Sequence, residues 1–398
     1  MTERAYKYRF FPTLEQENLL RRTMGCVRLV YNKALAARTE GWYQRQERIG
    51  YNQTSSLLTG WKKEEDLTFL NEVSCVPLQQ TLRHLQVAFA NFWAKKAKYP
   101  NFKQKRSGGN AEFTRSAFKW KDGKLWLAKC KEPLNIVWSK LLPEGCSPST
   151  VTVKLEPSGR WFVSLLVDDP TIQPLPLTDK KVGIDVGISS LITTSDGGKI
   201  ANPKHFNRLY QKLKVAQKEL SRKTKGSSNR HKARLEVAKI HAKIKDARTD
   251  FLHKLTTDLV TNNSLIAIED LAVRNMVRNH KLARSISDAA WGEMFRQLEY
   301  KCNWYGRTLV KIDRFFPSSK RCNHCGFVMD KLSLDVRSWD CPSCNTKEID
   351  RDINAGKNIL AAGLAVIVCG ADVRPDRHSF KGQLRKTSNG RRKQKPKS

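Results

Sequence analysis

Four cysteines in two matched pairs constrain the fold of this chain more than any other feature of its sequence. Two residues separate the members of each pair and fifteen residues separate the pairs, which are Cys322, Cys325, Cys341 and Cys344. This spacing places four thiolates on two turns that can close a tetrahedron around Zn²⁺. The intervening segment is too short for a core of its own, so we expect the metal to supply its folding free energy, about 10–16 kcal/mol. Because four sulfurs leave no open coordination position, the predicted site is structural.

The other six cysteines are scattered singly. A redox dithiol is the competing interpretation of the paired cysteines, but exchange chemistry does not need two matched pairs. A long, lysine-rich chain without a secretory leader belongs in a reducing compartment. We therefore expect the single cysteines to be buried reduced thiols: Cys26, Cys75, Cys130, Cys146, Cys302 and Cys369.

The charge of the chain indicates a nucleic-acid partner. Lys and Arg number 73 against 38 Asp and Glu, which gives a formal net charge of +35 over 398 residues. A compact protein tolerates such a charge poorly unless a polyanion is nearby. A membrane-surface protein is the alternative, but here the charge is spread along the chain and not gathered on one amphipathic anchor helix. No apolar run long enough to span a bilayer is present, so we expect a cytoplasmic protein.

Three acidic residues lie in apolar or glycine-flanked settings. Asp185 stands within Val-Gly-Ile-Asp-Val-Gly, Glu269 ends the run Leu-Ile-Ala-Ile-Glu, and Asp352 enters the last predicted helix. Carboxylates gathered in one site repel by roughly 4 kcal/mol per pair at about 4 Å, so we expect divalent cations to bind there. Hard oxygen ligands suit Mg²⁺ or Mn²⁺, and two such ions about 3.5–4 Å apart catalyse phosphodiester hydrolysis.

Each acid taken alone has another interpretation. The setting of Asp185 is also typical of actin-like ATPases, although no fitting glycine-rich phosphate loop follows later in the chain. Glu269 could cap a helix beside Asp270. Asp352 could be the N-cap of the last helix, with Asp350 as its rival. The order Asp, Glu, Asp on strand, strand and helix, next to a zinc site and in basic surroundings, favours a metal-dependent nuclease.

The first part of the chain predicts a β module that contains a helical insertion. Residues 4–11 alternate apolar and basic side chains as a half-buried strand does, and Thr13 with Gln16 forms a capping box for a helix. Residues 13–104 are therefore predicted as a helical domain. Short β-like runs with turn residues around Asp122-Gly123 and Pro157-Ser158-Gly159 place residues 1–12 and 105–178 in an antiparallel module.

A second domain begins after a proline-containing linker. Residues 181–198 predict a strand, a turn and a second strand, and two basic amphipathic helices follow with a turn at residues 223–232. The outward faces of these helices carry many lysines, so a phosphate backbone could lie along Lys212, Lys239 and Lys243. Residues 371–398 form a basic tail that we expect to be disordered.

The combination resembles the TnpB proteins encoded by insertion-sequence transposons, whose nuclease domain is related to the type V CRISPR effectors. The resemblance extends from the N-terminal strand to about Leu360. It rests on the paired cysteines and on Gly183–Gly187, Ile268–Leu271, Ser285–Gly292, Phe316–Ser319 and Asp350–Ala355. The resemblance implies an α+β multidomain fold. An RNase H/RuvC-like α/β nuclease domain (179–316 and 348–370) would carry an inserted zinc ribbon (317–347). The β module would be an antiparallel β-barrel, called the wedge, and residues 13–104 the recognition domain.

The resemblance also implies a function. Members of this family are RNA-guided DNA endonucleases that bind a guide RNA from the transposon end and cut double-stranded target DNA beside a short motif. Their catalytic trio falls on Asp185, Glu269 and Asp352, with Mg²⁺ or Mn²⁺ as catalytic cofactor and structural Zn²⁺ on the paired cysteines. We expect a monomer in the RNA complex, in a prokaryotic cytoplasm and associated with the nucleoid. Candidate readers of the adjacent motif are Tyr51, Gln53, Gln79 and Thr114. A catalytically silent nucleic-acid-binding regulator is the alternative.

Overall fold

The computed structural model describes residues 2–333 and 335–368 and divides the chain into two compact units. The first unit comprises Met1–Pro174 and His205–Phe251, and the second comprises Leu175–Lys204 and the chain from Leu252 onward. The predicted tail and Cys369 lie outside the described residues. No helix among the described residues combines the length and apolarity needed to cross a lipid bilayer.

The first unit contains an antiparallel sheet of five strands and a separate two-stranded hairpin. The sheet has the order β2-β6-β7-β1-β5, and β3 pairs with β4. These strands are β1 (Thr2–Phe11), β2 (Gly109–Thr114), β3 (Phe118–Lys121), β4 (Lys124–Leu127), β5 (Asn135–Val137), β6 (Thr150–Leu155) and β7 (Trp161–Asp169). The predicted strand at residues 4–11 and both predicted hairpins are confirmed.

Alternating side chains explain how this sheet builds its core. Tyr6, Tyr8 and Phe10 of β1 point inward and are buried, while the residues between them are exposed or half-buried. The hairpin of β3 and β4 turns at Asp122 and Gly123, which both have positive φ, as a tight two-residue turn requires.

The expected barrel is wrong. Among the described strands, β2 and β5 form the two open edges of the sheet and do not pair with each other. The helices α1 (Leu14–Arg45) and α3 (Cys75–Trp93) contact β2, and β5 has only three residues. An edge strand that is covered by helices, or that is very short, does not pair with other strands, so the sheet does not need to close into a barrel.

The helices of the first unit form two groups. α1, α2 (Tyr51–Trp61) and α3 share an apolar core, and Thr13 caps α1 through the predicted capping box with Gln16. The predicted basic hairpin consists of α4 (His205–Arg222) and α5 (Ser228–Asn262), and its turn is shorter than the predicted 223–232 because α5 begins at Ser228. Residues 205–251 of the hairpin belong to the first unit, and the end of α5 belongs to the second. Within the first unit, Arg160, in the turn before β7, donates to Asp246 on α5 and to Glu156 at 2.9 Å.

The second unit contains a mixed sheet with the order β10-β9-β8-β11-β12. β11 runs parallel to both β8 and β12, whereas β8, β9 and β10 are antiparallel neighbours. The strands are β8 (Lys181–Val186), β9 (Ser190–Thr194), β10 (Lys199–Ala201), β11 (Leu265–Glu269) and β12 (Thr308–Ile312), with a small pair of β13 (Ser338–Trp339) and β14 (Ile349–Asp350). The helices are α6 (Val273–Met276), α7 (Ala283–Ala289), α8 (Trp291–Tyr305) and α9 (Arg351–Val368).

Glycines let α9 lie directly on the mixed sheet. A Cβ at Gly183 of β8 would lie 2.1 Å from the carbonyl oxygen of Gly356 on α9. One at Gly363, two turns further along the helix, would lie 2.7 Å from the Cβ of Ala267 on β11. Backbone contact therefore sets the separation between the helix and the two central strands.

Candidate metal centres

Two of the predicted acids stand at the same edge of the mixed sheet. Asp185 lies near the carboxyl end of β8, and Glu269 is the last residue of β11. The parallel register pairs Ile184 with Ile268, so Asp185 and Glu269 follow side by side on neighbouring strands. Both side chains are partly buried.

The third acid comes from the first turn of α9. Asp352 lies one helical turn before Gly356, the residue whose carbonyl oxygen meets Gly183, and Gly183 lies two residues before Asp185. The carboxylate of Asp350 instead caps the helix, accepting from the amides of Asp352 and Ile353 at 3.0 Å each and from Lys199 at 2.6 Å. The cap is therefore Asp350, which leaves the carboxylate of Asp352 available for other partners.

Glu269 and Asp352 both act on the pKa of Asp185. Burial is the largest cause that raises the pKa of Asp185 to about 8; the nearby Glu269 and Asp352 add to the shift, and Arg351 opposes it. Burial also raises the pKa of Glu269, although a hydrogen bond from Ser318 at 2.6 Å opposes the shift. The ionised carboxylate of Asp185 is therefore disfavoured by both other acids as well as by burial, and a bound cation would stabilise it.

The spacing of the carboxylates bears on which ions they could hold. Within residues 2–333 and 335–368, only the four paired cysteines have ligand atoms that all lie within 4.8 Å of one another, so the three carboxylates are more widely spaced. Oxygens bound to one Mg²⁺ at about 2.1 Å lie within about 4 Å of each other. Two ions about 3.5–4 Å apart that share one carboxylate span a wider set of ligands. This spacing does not fit a single Mg²⁺ ion held by one oxygen from each acid.

The paired cysteines have the geometry of a zinc site. The sulfurs of Cys322 and Cys344 are 3.7 Å apart, and those of Cys325 and Cys341 are 3.6 Å apart. A tetrahedron with Zn–S bonds of about 2.3 Å has S···S distances of about 3.8 Å. Hydrogen bonds from Thr346 lower the pKa of Cys344 to about 6, whereas burial raises the pKa of Cys322 to about 11.

The single cysteines only partly match the expectation of burial. Cys26 and Cys302 are buried, Cys130 and Cys146 are partly exposed, and Cys75 is exposed. Cys75 is the first residue of α3 and the start of a helix is open to solvent, so the expectation is wrong there.

The chain is similar over nearly its whole length to two bacterial proteins that share one name. It is 60% identical over 95% of its length, and over 93% of the relative, to a "Putative RNA-guided DNA endonuclease" of Streptomyces pristinaespiralis. The chain belongs to the TnpB family. It is also 30% identical to the "Putative RNA-guided DNA endonuclease InsQ" of Escherichia coli K12, over 94% of this chain and 95% of the relative.

Family models match three segments of this TnpB-family chain. Residues 162–280 match the model described as "Probable transposase", residues 291–359 a "Cas12f1-like, TNB domain", and residues 1–47 a "Helix-turn-helix domain". In the structure, residues 1–47 contain β1 and one continuous helix of 32 residues. The fold is similar to that in a cryo-EM structure of a Cas12f1–sgRNA–target DNA complex, with a TM-score of 0.53, 17% identity, and coverage of 87% of this chain and 83% of that one.

The other site residues predicted for a TnpB protein all lie in the first unit. Lys212, Lys239 and Lys243 are exposed on the basic hairpin, and Lys239 pairs with Glu236 at 2.7 Å. Gln53 caps α2 by accepting from the amide of Gly50 at 2.5 Å, which gives it a structural role beside the predicted one. Tyr51 lies under the guanidinium of Arg83 at 5.1 Å from the ring centroid, Gln79 is exposed on α3, and Thr114 ends β2.

Sequence reasoning missed a basic cleft in the first unit and three side chains near the acids. The cleft has a volume of about 540 Å³, and the bases that line it come from α1, the segment before β2 and α5: Arg21, Arg22, Arg28, Lys105, Arg106 and Arg234. In the second unit, Ser318 holds Glu269, Arg337 lies 3.6 Å from Asp352, and Arg351 lowers the pKa of Asp185. No spacing rule connects residues so far apart along the chain. Ser318 does fall in Phe316–Ser319, one of the segments that carry the family resemblance.

Proposed function

We propose that this chain is an RNA-guided DNA endonuclease of an insertion-sequence transposon, in which Asp185, Glu269 and Asp352 hold two Mg²⁺ or Mn²⁺ ions. The names of the relatives from Streptomyces pristinaespiralis and Escherichia coli support the activity. One observation of the structure carries the assignment of the site. The carboxyl ends of β8 and β11 and the first turn of α9 meet through glycine contacts, and the pKa of Asp185 there is about 8.

The residues have separate tasks in this proposal. Asp185 would be the ligand common to both cations, because Glu269 and Asp352 each raise its pKa. Glu269 would offer the oxygen that Ser318 does not hold, and Asp352, which pairs with Arg337 in the structure, would be the third cation ligand. When bound, two divalent cations supply an activated water and stabilise the leaving oxygen of the phosphodiester. The buried setting of Asp185 strengthens its attraction to them, because charges interact more strongly away from water.

We assign the remaining parts of the chain to nucleic-acid contacts. The guide RNA and the target DNA are strands of phosphates, and the basic cleft and the lysines of the α4–α5 hairpin offer them positive charge. Tyr51, Gln53, Gln79 and Thr114 remain the candidates for reading the short motif beside the target. We assign the sheet of the first unit to the wedge and α1 to α3 to the recognition domain. Residues 179–316 and 348–370, which include the α4–α5 hairpin, would form the RuvC-like nuclease domain, and residues 317–347 its zinc ribbon.

Adjacent acids provide a sharp test of the catalytic assignment. The chain is purified with its bound RNA, the RNA is sequenced, and cleavage of a matching DNA duplex is measured with Mg²⁺. We expect Asp185→Ala, Glu269→Gln and Asp352→Asn to abolish cleavage while guide and target binding stay within a few-fold. The matched controls are Asp270→Asn and Asp350→Asn. Asp270 is the residue after Glu269, and Asp350 lies two residues before Asp352.

The outcomes separate the two candidate functions. Loss of cleavage in the three catalytic variants, with near-normal rates in both controls, supports the assignment. Retained cleavage in Asp185→Ala removes that residue from the site. A wild-type chain that binds its RNA and target but shows no metal-dependent cleavage would instead be a nucleic-acid-binding regulator.

A further inference from the structure

The hydroxyl of Ser318 is the one side chain that hydrogen-bonds Glu269 within the described part of the chain. Its Oγ donates to Oε1 of Glu269 at 2.6 Å, and Ser318 itself is 5% exposed. Ser318 lies in the segment that connects β12 to the first cysteine pair, so it reaches Glu269 from outside the sheet. A carboxylate with one oxygen held in this way presents its other oxygen in a defined direction.

Two buried asparagines of α9 hold the segment that carries Ser318. Nδ2 of Asn358 donates to the carbonyl oxygens of Ser318 and Arg321 at 2.8 and 2.6 Å. Nδ2 of Asn354 donates to the carbonyl oxygen of Arg321 at 2.8 Å. Both asparagines are 3% exposed, so these hydrogen bonds are made away from water, where leaving them unmade is costly.

The same helix is joined to the zinc site and carries a catalytic acid. Oδ1 of Asn354 accepts from the amide of Asn323, the residue after Cys322, at 3.0 Å. Asp352 lies two residues before Asn354 on α9. A continuous set of hydrogen bonds therefore runs from the first cysteine pair through the asparagines to Ser318, and from Ser318 to Glu269.

We propose that Ser318 is a positioning residue, whose hydroxyl orients the carboxylate of Glu269 for cation binding and whose own position is set by Asn354 and Asn358. This inference rests on the proposed function, because it assumes that Glu269 binds a cation. A glutamate has three side-chain torsions, and without a partner its carboxylate would sample several directions. Loss of the groups that orient a metal ligand typically weakens metal binding by about 10–100-fold.

The decisive measurement is cation affinity rather than cutting. Mn²⁺ binding to the full chain with its co-purified RNA is followed by electron paramagnetic resonance, and the signal of Asp185→Asn is subtracted to remove ions bound by RNA. We expect Ser318→Ala to weaken the remaining Mn²⁺ binding by about tenfold or more. The Mg²⁺ concentration for half-maximal cleavage should rise by a similar factor, while the rate at saturating Mg²⁺ falls much less. Ser319→Ala, a change at the neighbouring serine, should leave both quantities unchanged.

An isosteric pair isolates the hydroxyl from any effect on folding. Thr and Val have the same shape, so Ser318→Thr and Ser318→Val disturb the packing equally and differ in the hydroxyl alone. We expect Ser318→Thr to bind Mn²⁺ at least several-fold more tightly than Ser318→Val, with equal zinc content and equal RNA binding. Equal Mn²⁺ affinity in the pair, or in Ser318→Ala and the wild type, overturns the proposal.

Failure of the inference can be told from failure of the proposed function. If the wild type and Asp185→Asn bind the same amount of Mn²⁺, then the acids do not form a cation site and the proposed function fails. If the wild type binds additional Mn²⁺ and the Ser318 variants bind it equally well, only the positioning role is lost.

Discussion

The contact between Gly183 and α9 allows a direct test of how the acids are spaced. In the variant Gly183→Ala, the new Cβ would lie 2.1 Å from the carbonyl oxygen of Gly356. It would also lie 2.6 Å from the amide nitrogen and 2.9 Å from the Cβ of Leu360. All of these atoms belong to the helix backbone or to its first side-chain atom, so no flexible side chain can turn away.

The size of the effect follows from these distances. Carbon and carbonyl oxygen approach each other to about 3.3–3.6 Å, so α9 must retreat from β8 by roughly 1 Å. Forcing an extra carbon into a packed core costs about 1–3 kcal/mol of stability. Because Asp352 moves with α9 and Asp185 stays on β8, the two carboxylates separate. A displacement of about 1 Å at a reacting centre lowers a rate by on the order of 100-fold.

The assay compares cleavage rates at saturating Mg²⁺ with thermal unfolding of the same preparations. We expect Gly183→Ala to lose about 100-fold in rate while guide RNA stays bound. Gly292→Ala is the matched control in the same unit, because its added Cβ would have no described atom within 4 Å apart from its own helix backbone and its chain neighbours. A Gly183→Ala protein that unfolds like the wild type and cuts within a few-fold of its rate would refute the idea that backbone contact sets the spacing of the acids.

Three further predictions concern protons, a helix cap and zinc. The pKa of Asp185 is about 8 in the fold against 3.8 for the free side chain, so the folded chain binds an extra proton below pH 8. The free energy of unfolding is measured by denaturant titration in the presence of a chelator. As the pH rises from 6 to 8, it should fall by about 2 kcal/mol more in the wild type than in Asp185→Asn. If the free energy of unfolding depended on pH equally in the two proteins, the raised pKa of Asp185 would be contradicted. Asp350→Ala removes the cap of α9 and should cost about 1 kcal/mol of stability by the same titration, with cleavage within several-fold of the wild-type rate; loss of cleavage would give Asp350 a catalytic role. Cys341→Ser should abolish bound zinc, measured by elemental analysis, and should expose the 317–347 segment to protease; a protected segment without zinc would show that the metal is dispensable.

Local patterns in the sequence predicted the elements of this fold well. Thr13 and Gln16 start α1 as expected, and Asp122-Gly123 turns the β3–β4 hairpin, because both motifs depend only on neighbouring residues. The paired cysteines lie together because the metal geometry is encoded in their spacing. The strands and the helix that carry the three acids were likewise recognisable from apolar runs.

Features that depend on distant contacts were harder to predict. Sheet closure depends on how the edges are covered, and the cover on β2 comes from helices elsewhere in the chain, so the barrel was wrongly expected. The choice between Asp350 and Asp352 as the cap was open because both suit a helix start. The contact of Ser318 with Glu269 and that of Arg337 with Asp352 depend on loops that fold back onto the acids, which no periodic pattern reveals.

The positions of the three acids also have a consequence for protein synthesis. Asp185, Glu269 and Asp352 are spread along the polypeptide, and the last of them follows the cysteine pairs. A ribosome therefore completes the basic helical hairpin well before it adds the final carboxylate. Any nascent or frameshifted product that stops short of residue 352 carries the lysines of that hairpin but only part of the acidic set. Under the proposed function, such a product would retain positive charge for nucleic acid and lack a complete cutting site.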